Sequence, residues 1–457
     1  MSISPYFSAI DWDRLEREFP VGQAFLDRYV GMPRERLEQD QERRLDEVLD
    51  VAWATPLYRR LWSAQGIDRR DIRGLADLQL LPVIDKTTIL ADAEEHPPLG
   101  SLSTRTDRPR GPIVLQTTSG TTGAPQPVIW GAWGREVQNA LAGRIYRWVG
   151  MTGDDVAMSV YGHGLLNGGH FIREAVVRYT DTLLLPVGTG KETRSERQVD
   201  LMARFGVTVL LGFTDYLRRL GDLAIEMGHQ PGVDIPVRLI VGQLLDPQRE
   251  PLESLWGGAK AYNWYGVADT GGIASEGPER DGLHVFEDAN VLEVLDEAGE
   301  PVSPGGKGEI VVTSLGKSDV APLVRFNTHD LTRVLPEPNP TGLPFRRIEG
   351  HLGRGDNMVK LKGVNVYPSA IGNMLADAPG FTGEYVCRLE NGAYGDRLVV
   401  IFESDKVQTV SLADVKSSLA THLGVGVDAE VVAPGATASL TGVYERQKPT
   451  RLIDARG

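Results

Sequence analysis

Cysteine is nearly missing from this sequence: the 457-residue chain has one, Cys387. A single thiol rules out an intrachain disulfide and any multi-cysteine zinc or iron–sulfur site. Basic residues are in deficit, with 48 Lys and Arg against 62 Asp and Glu and a formal net charge of −14. That balance argues against a nucleic-acid partner, because such proteins neutralise phosphates with a basic face. It does not exclude a small phosphate-bearing ligand, which needs only a few local donors. Long apolar runs are lacking too. VTVLLGF (207–213) is typical, far short of the roughly 18 residues that suggest a membrane span. The start, MSISPYFSAIDWDRLEREFP, has no basic segment followed by an apolar one, so no secretory leader is expected. These absences predict a cytoplasmic protein with no membrane segment.

What is abundant is glycine, 52 residues, with 28 prolines and no G-x-y period. Many turns are expected. The length predicts two or three domains. Residues 1 to about 95 read as mostly helical, since RERLEQDQERRLDEVLDVAWA (34–54) spaces Leu37, Leu45, Val48, Leu49 and Ala52 at helix-like intervals. From about 112, short apolar runs alternate with helix-like stretches. The strand candidates are PIVLQ, DVAMSVYG, TLLLPVG, VTVLLGF, VRLIVGQ and AKAYNWYG. Such alternation predicts an α/β domain with a largely parallel sheet. Residues 283–335 read as mostly β. The Pro-rich PEPNPTGLP (336–344) precedes a boundary near 350–356, and a small α+β domain is expected after it. The expected division is 1–353 and 354–457.

The sharpest local feature is LQTTSGTTGAPQP (115–127), where an apolar strand runs into Ser119, Gly120, Thr121, Thr122 and Gly123. Glycines permit close backbone approach, and hydroxyls with backbone N–H groups can ring a phosphate. The segment lacks the G-K-[ST] ending of a Walker A loop. It resembles the phosphate loop of the acyl-adenylate-forming superfamily. Four further stretches resemble that superfamily's motifs in order: NWYGVADTGG (263–272), FNTHDLTRVL (326–335), GHLGRGDNMVKLKGVNVYP (350–368) and ERQKPTRLID (445–454). VYGHGLLNGG (160–169) and DGLHVFED (281–288) most resemble phenylacetate–CoA ligases. The resemblance spans about 115–457 and is weak over the first hundred residues.

The resemblance implies an α/β fold, with a large N-terminal adenylate-forming domain of mixed sheets and helices and a small mobile α+β C-terminal domain. It implies ATP and Mg²⁺ as cofactors and CoA as co-substrate. A small aromatic carboxylic acid would be activated as acyl-AMP, and the acyl group passed to CoA. An amine or a carrier protein as acceptor stays open, as does a catalytically degenerate nucleotide-binding protein. A homodimer is compatible with the resemblance. Ser119, Gly120, Thr121, Thr122 and Gly123 would hold the β- and γ-phosphates, with Gln126 where the family often has lysine. Gly242, Gln243, Tyr265 and Gly266 would border the nucleotide, Asp330 the ribose hydroxyls, and Arg354 ribose or phosphate. Asp269 falls at the metal-binding glutamate, one methylene shorter, and Ala268 at its hydroxyl neighbour. Lys448 would stabilise charge on the α-phosphate and carboxylate oxygens, and Asp356 would be the hinge. Tyr161, His163, Gly164 and Phe213 would line the acid pocket. Cys387, between apolar neighbours in YVCRLE, reads as a buried strand thiol.

Overall fold

The computed structural model describes residues 4–104, 112–117, 126–244, 246–355, 359–361, 364–392, 395–443 and 449–456. It divides into two compact units. The larger holds residues up to Thr328 and Thr332–Gly350; the smaller holds His329–Leu331 and the chain from His351. The mixed α/β fold expected from the resemblance is the one observed.

The first hundred residues are helical. The helix Arg34–Ala54 buries Leu37, Leu45, Val48, Leu49 and Ala52, the stripe its periodicity predicts. Thr55 caps the next helix, Pro56–Ala64, by accepting from the Tyr58 N–H, with Pro56 in the first turn where its missing donor costs nothing.

In the rest of the larger unit, β1 (Val114–Thr117) and β2 (Pro127–Trp130) form an antiparallel pair. The main sheet takes β3 (Val156–Ser159), β4 (Leu183–Pro186), β5 (Val209–Leu211), β6 (Leu239–Gly242), β7 (Lys260–Val267), β8 (Gly271–Ser275), β9 (Leu283–Val285) and, beyond the next sheet, a short strand at Arg347–Ile348. Its order is Arg347–Ile348, β9, β8, β7, β6, β5, β3, β4. β4, β3, β5, β6 and β7 are parallel, as the alternating pattern predicts. β7, β8, β9 and Arg347–Ile348 pair antiparallel, so the sheet is mixed. One face packs Ala157, Val209, Leu211, Leu239, Val241 and Tyr262; the other packs Met158, Leu210, Ile240 and Ala261. Burial on both faces explains why these strands read as continuous apolar runs. A further sheet joins β10 (Asn290–Leu295), β11 (Lys307–Ser314) and β12 (Phe326–Arg333).

In the smaller unit, β14 (Val359–Leu361) and β15 (Val364–Val366) make a hairpin; β13 is the Arg347–Ile348 strand above. A four-stranded sheet orders β18 (Asp428–Val432), β17 (Gly395–Ser404), β16 (Phe381–Gly392) and β19 (Leu452–Asp454). The helix Leu412–Leu423 packs on it through Val415 and Leu419. Cys387 lies on β16, fully buried, and burial pushes its thiol far above the ordinary range.

The larger unit is tied together by buried charge. Arg144, on the helix Ala132–Trp148, meets Asp288 in a two-pronged pair at 2.9 and 2.8 Å. Both side chains are fully buried. Tyr29 Oη donates to the same carboxylate at 3.0 Å, and Arg44 donates to the Asp288 carbonyl. Arg144 Nε also donates to the Pro20 carbonyl at 3.1 Å. Burial alone would raise the Asp288 carboxyl, but Arg144 and Arg44 hold it below the usual carboxylate range. A carboxyl lowered in the folded state adds stability above its unfolded pKa and loses it as pH falls through the folded value. Asp288→Asn leaves Arg144 buried without its counter-charge, and we expect a loss of about 3–5 kcal/mol at neutral pH. Chemical denaturation measures it, and the variant should also lack this carboxyl's share of the wild-type acid lability.

Candidate active site at the carboxyl ends of the parallel strands

In open α/β sheets, ligands bind beyond the carboxyl ends of the parallel strands, where no side chain or loop is committed to the core. The strand register makes that edge explicit. Ser159 pairs with Leu211, Leu211 with Val241, and Val241 with Tyr262. Two residues farther along each chain come Tyr161, Phe213, Gln243 and Trp264. Side chains alternate faces along a strand, so this row continues the face of Leu211 and Val241. Tyr161 and Phe213 meet edge to face with ring centroids 4.8 Å apart. The Tyr161 hydroxyl is buried and makes no hydrogen bond of ordinary geometry; the Trp264 side chain and the Gln243 backbone are the polar groups beside it. Burial raises its pKa beyond the ordinary phenol range, so it stays a neutral donor.

Gly242 ends β6 against Gly212. A Cβ at Gly242 would run into the Gly212 carbonyl oxygen, so this strand end needs glycine. Gln243 is fixed from both sides: its carbonyl accepts from Thr214 Oγ1 at 2.7 Å, and its Nε2 donates to the Gly266 carbonyl at 3.4 Å. Gly266 stands at a register shift between β7 and β8, where a Cβ would meet the Gly271 backbone. Tyr265 points the other way, into the cluster of Ile273, Leu292 and Ile310, with its hydroxyl donating to Thr328 Oγ1 at 3.2 Å.

His163 and His170 stack edge to face at 5.7 Å, and His170 Nε2 lies 2.9 Å from the Gly164 carbonyl. His163 Nε2 is buried with no partner among the described residues. Burial lowers the His163 pKa, and His170 adds to the shift. Neutral at physiological pH, this ring can accept or donate one hydrogen bond. Gly164 is exposed, with open space where a Cβ would go.

The turn Ala268–Thr270 between β7 and β8 carries Asp269, and it is clamped on several sides. Asn167 Nδ2 donates to the Ala268 carbonyl at 2.5 Å, and Gln138 Oε1 accepts from the Gly272 N–H at 2.8 Å. Gln126 Nε2 donates to the Asp269 carboxylate at 2.5 Å. Lys317 Nζ donates to the Asp269 carbonyl at 3.1 Å. Burial pushes the Asp269 carboxyl up, against the opposing pull of Lys317 and Gln126. Burial also pushes the Lys317 ammonium down, to about 8. Asp319 is the second carboxyl close to this lysine, and its own carboxyl is raised by burial.

The donor set fits a magnesium ion held largely by its ligand. Mg²⁺ is commonly bound through one or two carboxylates plus substrate phosphates rather than a protein cage. The buried Asp269 carboxyl and the half-buried Asp319 carboxyl lie near one ammonium, and Gln126 Oε1, a hard oxygen donor, is buried with no partner among the described residues. Among the described residues no cluster of three or more His, Cys, Asp or Glu could hold a metal alone.

In the smaller unit, Asp330 forms a bridge with Arg354, whose Nη1 lies 3.2 Å from the Asp330 carboxylate. His351 Nε2 lies 3.3 Å from the same oxygen. Ser119, Gly120, Thr121, Thr122, Gly123, Asp356 and Lys448 lie outside the described residues.

A family model described as AMP-binding enzyme matches residues 54–317, more than half of the chain. The chain belongs to the AMP-binding enzyme family. The C-terminal domain of AMP-binding enzymes matches residues 363–456. The chain is 26% identical over 455 residues to a phenylacetate–coenzyme A ligase of Aromatoleum evansii, covering 96% of this chain and 97% of that protein. It is 30% identical over 433 residues to one of Pseudomonas putida, covering 90% and 94%. A solved 2-hydroxyisobutyryl-CoA ligase holding its acyl-AMP superposes with a TM-score of 0.81 at 25% identity, over 93% of this chain and 91% of that one.

Within this AMP-binding frame, motif reasoning picked out Tyr161, Phe213, Gly242 and Gln243, and the strand register brings them together. It missed Trp264, the fourth member of the row, although NWYG was in view; Trp264 lies inside β7, two residues past Tyr262, and only the cross-strand register puts it in the row. It also missed Lys317, whose only signal is a lone charge after the apolar run IVVTSLG, and His351. Two glycines offer a contrast. Gly242→Ala should cost about 1–3 kcal/mol, as overpacking of a tight interior does, and should distort the edge carrying Gln243. Gly164→Ala should stay within about 0.5 kcal/mol of the parent. Thermal unfolding of the two variants side by side checks both.

Proposed function

We propose that this protein activates a small aromatic carboxylic acid with ATP and then transfers the acyl group to CoA. It is an adenylate-forming ligase. The observation that carries the choice of acid is the row Tyr161 and Phe213, just past β3 and β5, with Trp264 within β7. Flat rings offer a large contact area to an aromatic acid, and edge-to-face packing favours it. The named relatives, phenylacetate–coenzyme A ligases, support the same substrate class. A further solved form of 2-hydroxyisobutyryl-CoA ligase contains both its acyl-AMP and CoA, which supports the two-step course.

In the first step a carboxylate oxygen attacks the α-phosphorus of ATP. The bond from that phosphorus to the bridging oxygen breaks, and pyrophosphate leaves. In the second step the CoA thiolate, its proton given up to solvent, attacks the acyl carbon, and AMP leaves with the bonding pair. Such transfers need alignment and charge stabilisation more than covalent help. Asp330 accepts from the ribose hydroxyls, with Arg354 and His351 holding its carboxylate. Gly242, Gln243 and Gly266 border the adenylate. Tyr265, its ring in the core and its hydroxyl on Thr328, supports the strand behind the nucleotide. The Ser119–Gly123 segment takes the β- and γ-phosphates, and Lys448 the charge that develops at the α-phosphate. Asp269 would hold Mg²⁺, which when bound would neutralise phosphate charge. His163 and Gly164 border the acid. Asp356 is the hinge between residues 1–353 and 354–457. No described helix is long and apolar enough to cross a membrane.

The test is acid-dependent exchange of pyrophosphate into ATP across aromatic, aliphatic and hydroxy acids, with product mass measured when CoA, amines or carrier protein are supplied separately. Exchange selective for aromatic acids and a CoA thioester product are expected. Absence of exchange with every acid would sink the proposal, and an amide product would redirect its second half. Trp264→Ala should raise KM for the acid about tenfold or more, the loss of a buried aromatic contact, while leaving KM for ATP within about twofold. Lys448→Ala should lose most exchange, on the order of a hundredfold or more, while still binding ATP.

A further inference from the structure

Lys317 is a buried lysine that none of these roles uses. It follows β11 and is 2% exposed. Its ammonium has two seats. One is the face of Trp130, with Nζ 4.3 Å from the ring centroid; the other is the Asp269 carbonyl oxygen at 3.1 Å. Trp130 ends β2, whose preceding residue is Gln126, and Gln126 holds the Asp269 carboxylate at 2.5 Å. The lysine therefore links β2 to the Ala268–Thr270 turn at the backbone, while Gln126 links them at the side chain.

The charge around it is unbalanced. Asp319 is half-buried, with the Trp133 N–H donating to its Oδ2 at 3.2 Å. The buried Asp269 carboxyl and the half-buried Asp319 carboxyl thus share one ammonium. A neutral donor could serve the Asp269 carbonyl with much less desolvation penalty. The burial of a full charge at a backbone oxygen is accounted for if that charge is needed where it is.

We propose that Lys317 is a positioning residue for the adenylation step, fixing the Asp269 turn against β2 so that its carboxylate meets the magnesium-bound nucleotide in one place. This rests on the reading of Asp269 given above. The compact ammonium on a four-carbon stem can face a ring and a carbonyl at once, which a planar guanidinium in the same space cannot do in the same way.

The experiment compares Lys317→Met, the charge-balanced Lys317→Met/Asp319→Asn, Asp269→Asn and Lys317→Met/Asp269→Asn. Calorimetry reads Mg²⁺·ATP affinity, and pyrophosphate exchange reads kcat and KM for the acid. The charge-balanced variant removes the buried positive charge together with a neighbouring half-buried negative one, so it guards against a simple folding failure. In that variant we expect Mg²⁺·ATP affinity and exchange kcat each to fall about tenfold to a hundredfold, the range for groups that orient a metal ligand, with acid KM within about twofold. Adding Lys317→Met to Asp269→Asn should cost no more than about twofold further, because coupled residues are not additive. A folded charge-balanced variant with parental affinity and exchange would overturn the proposal, as would fully multiplicative losses in the Lys317 and Asp269 cycle. Absence of exchange in the unsubstituted protein would instead defeat the ligase reading, and the calorimetric cycle would still decide whether Lys317 and Asp269 act together.

Discussion

The buried pair of Arg144 and Asp288 is the constraint on which the larger unit depends. Removing two charges from water is worthwhile only when geometry and extra hydrogen bonds repay it. Here the carboxylate takes both prongs of Arg144 and the Tyr29 hydroxyl, and Arg44 takes the carbonyl. Three pieces of chain distant in sequence are thereby fixed to one residue: the N-terminal helices, the helix Ala132–Trp148 and the segment after β9. That helix then reaches the site. Gln138 accepts from the Gly272 N–H just past the Asp269 turn, and the Trp133 N–H near the helix start donates to Asp319. One helix thus passes the rigidity of a buried ion pair to the turn that carries the candidate metal carboxylate.

The second constraint is the close approach of β5 and β6 at their carboxyl ends. A Cβ on Gly242 would meet the Gly212 carbonyl oxygen, and one on Gly212 would meet the side chains of Val160 and Leu217. The next residue on each chain lies just past its strand, with Phe213 packed on Tyr161 and Gln243 held by Thr214 and Gly266. Continuation of the parallel register, rather than any loop motif, therefore sets Tyr161, Phe213, Gln243 and Trp264 in a row. The aromatic character of that row makes the site suited to flat acids, and the rigidity of the sheet keeps its spacing fixed.

Much of this was legible in the sequence because the signals were local. The helical stripe of residues 34–54 and the apolar runs of the parallel strands each need only neighbours along the chain. The antiparallel end of the main sheet was less so, since Arg347–Ile348 pairs with β9 across about 60 residues and leaves no periodic trace. The same holds for DGLHVFED. It reads as a family motif, but its physical content is that Glu287 and Asp288 are wholly buried and bound by Arg34, Arg346, Arg144 and Arg44. Lys317 and His351 were missed for one reason: a lone polar residue in a loop looks solvated until the fold shows what surrounds it.

Two departures from the broader superfamily pattern, Gln126 for lysine and Asp269 for glutamate, look in sequence like two separate losses and favour a degenerate protein. In the fold they touch each other, Gln126 Nε2 donating to the Asp269 carboxylate at 2.5 Å. A lysine at this place would neutralise the carboxylate directly. A glutamine supplies the hydrogen bond that a buried carboxylate requires and leaves its negative charge in place for a cation. The required positive charge is present nearby on Lys317, at the backbone oxygen of the same residue. The carboxylate is one methylene shorter, but its turn is held by four side chains from separate parts of the chain, Asn167, Gln138, Gln126 and Lys317. Such anchoring removes backbone freedom, so the shorter carboxylate is held in one position. On the proposed reading of Asp269 as the magnesium ligand, the two substitutions are one coordinated change in how the site distributes charge.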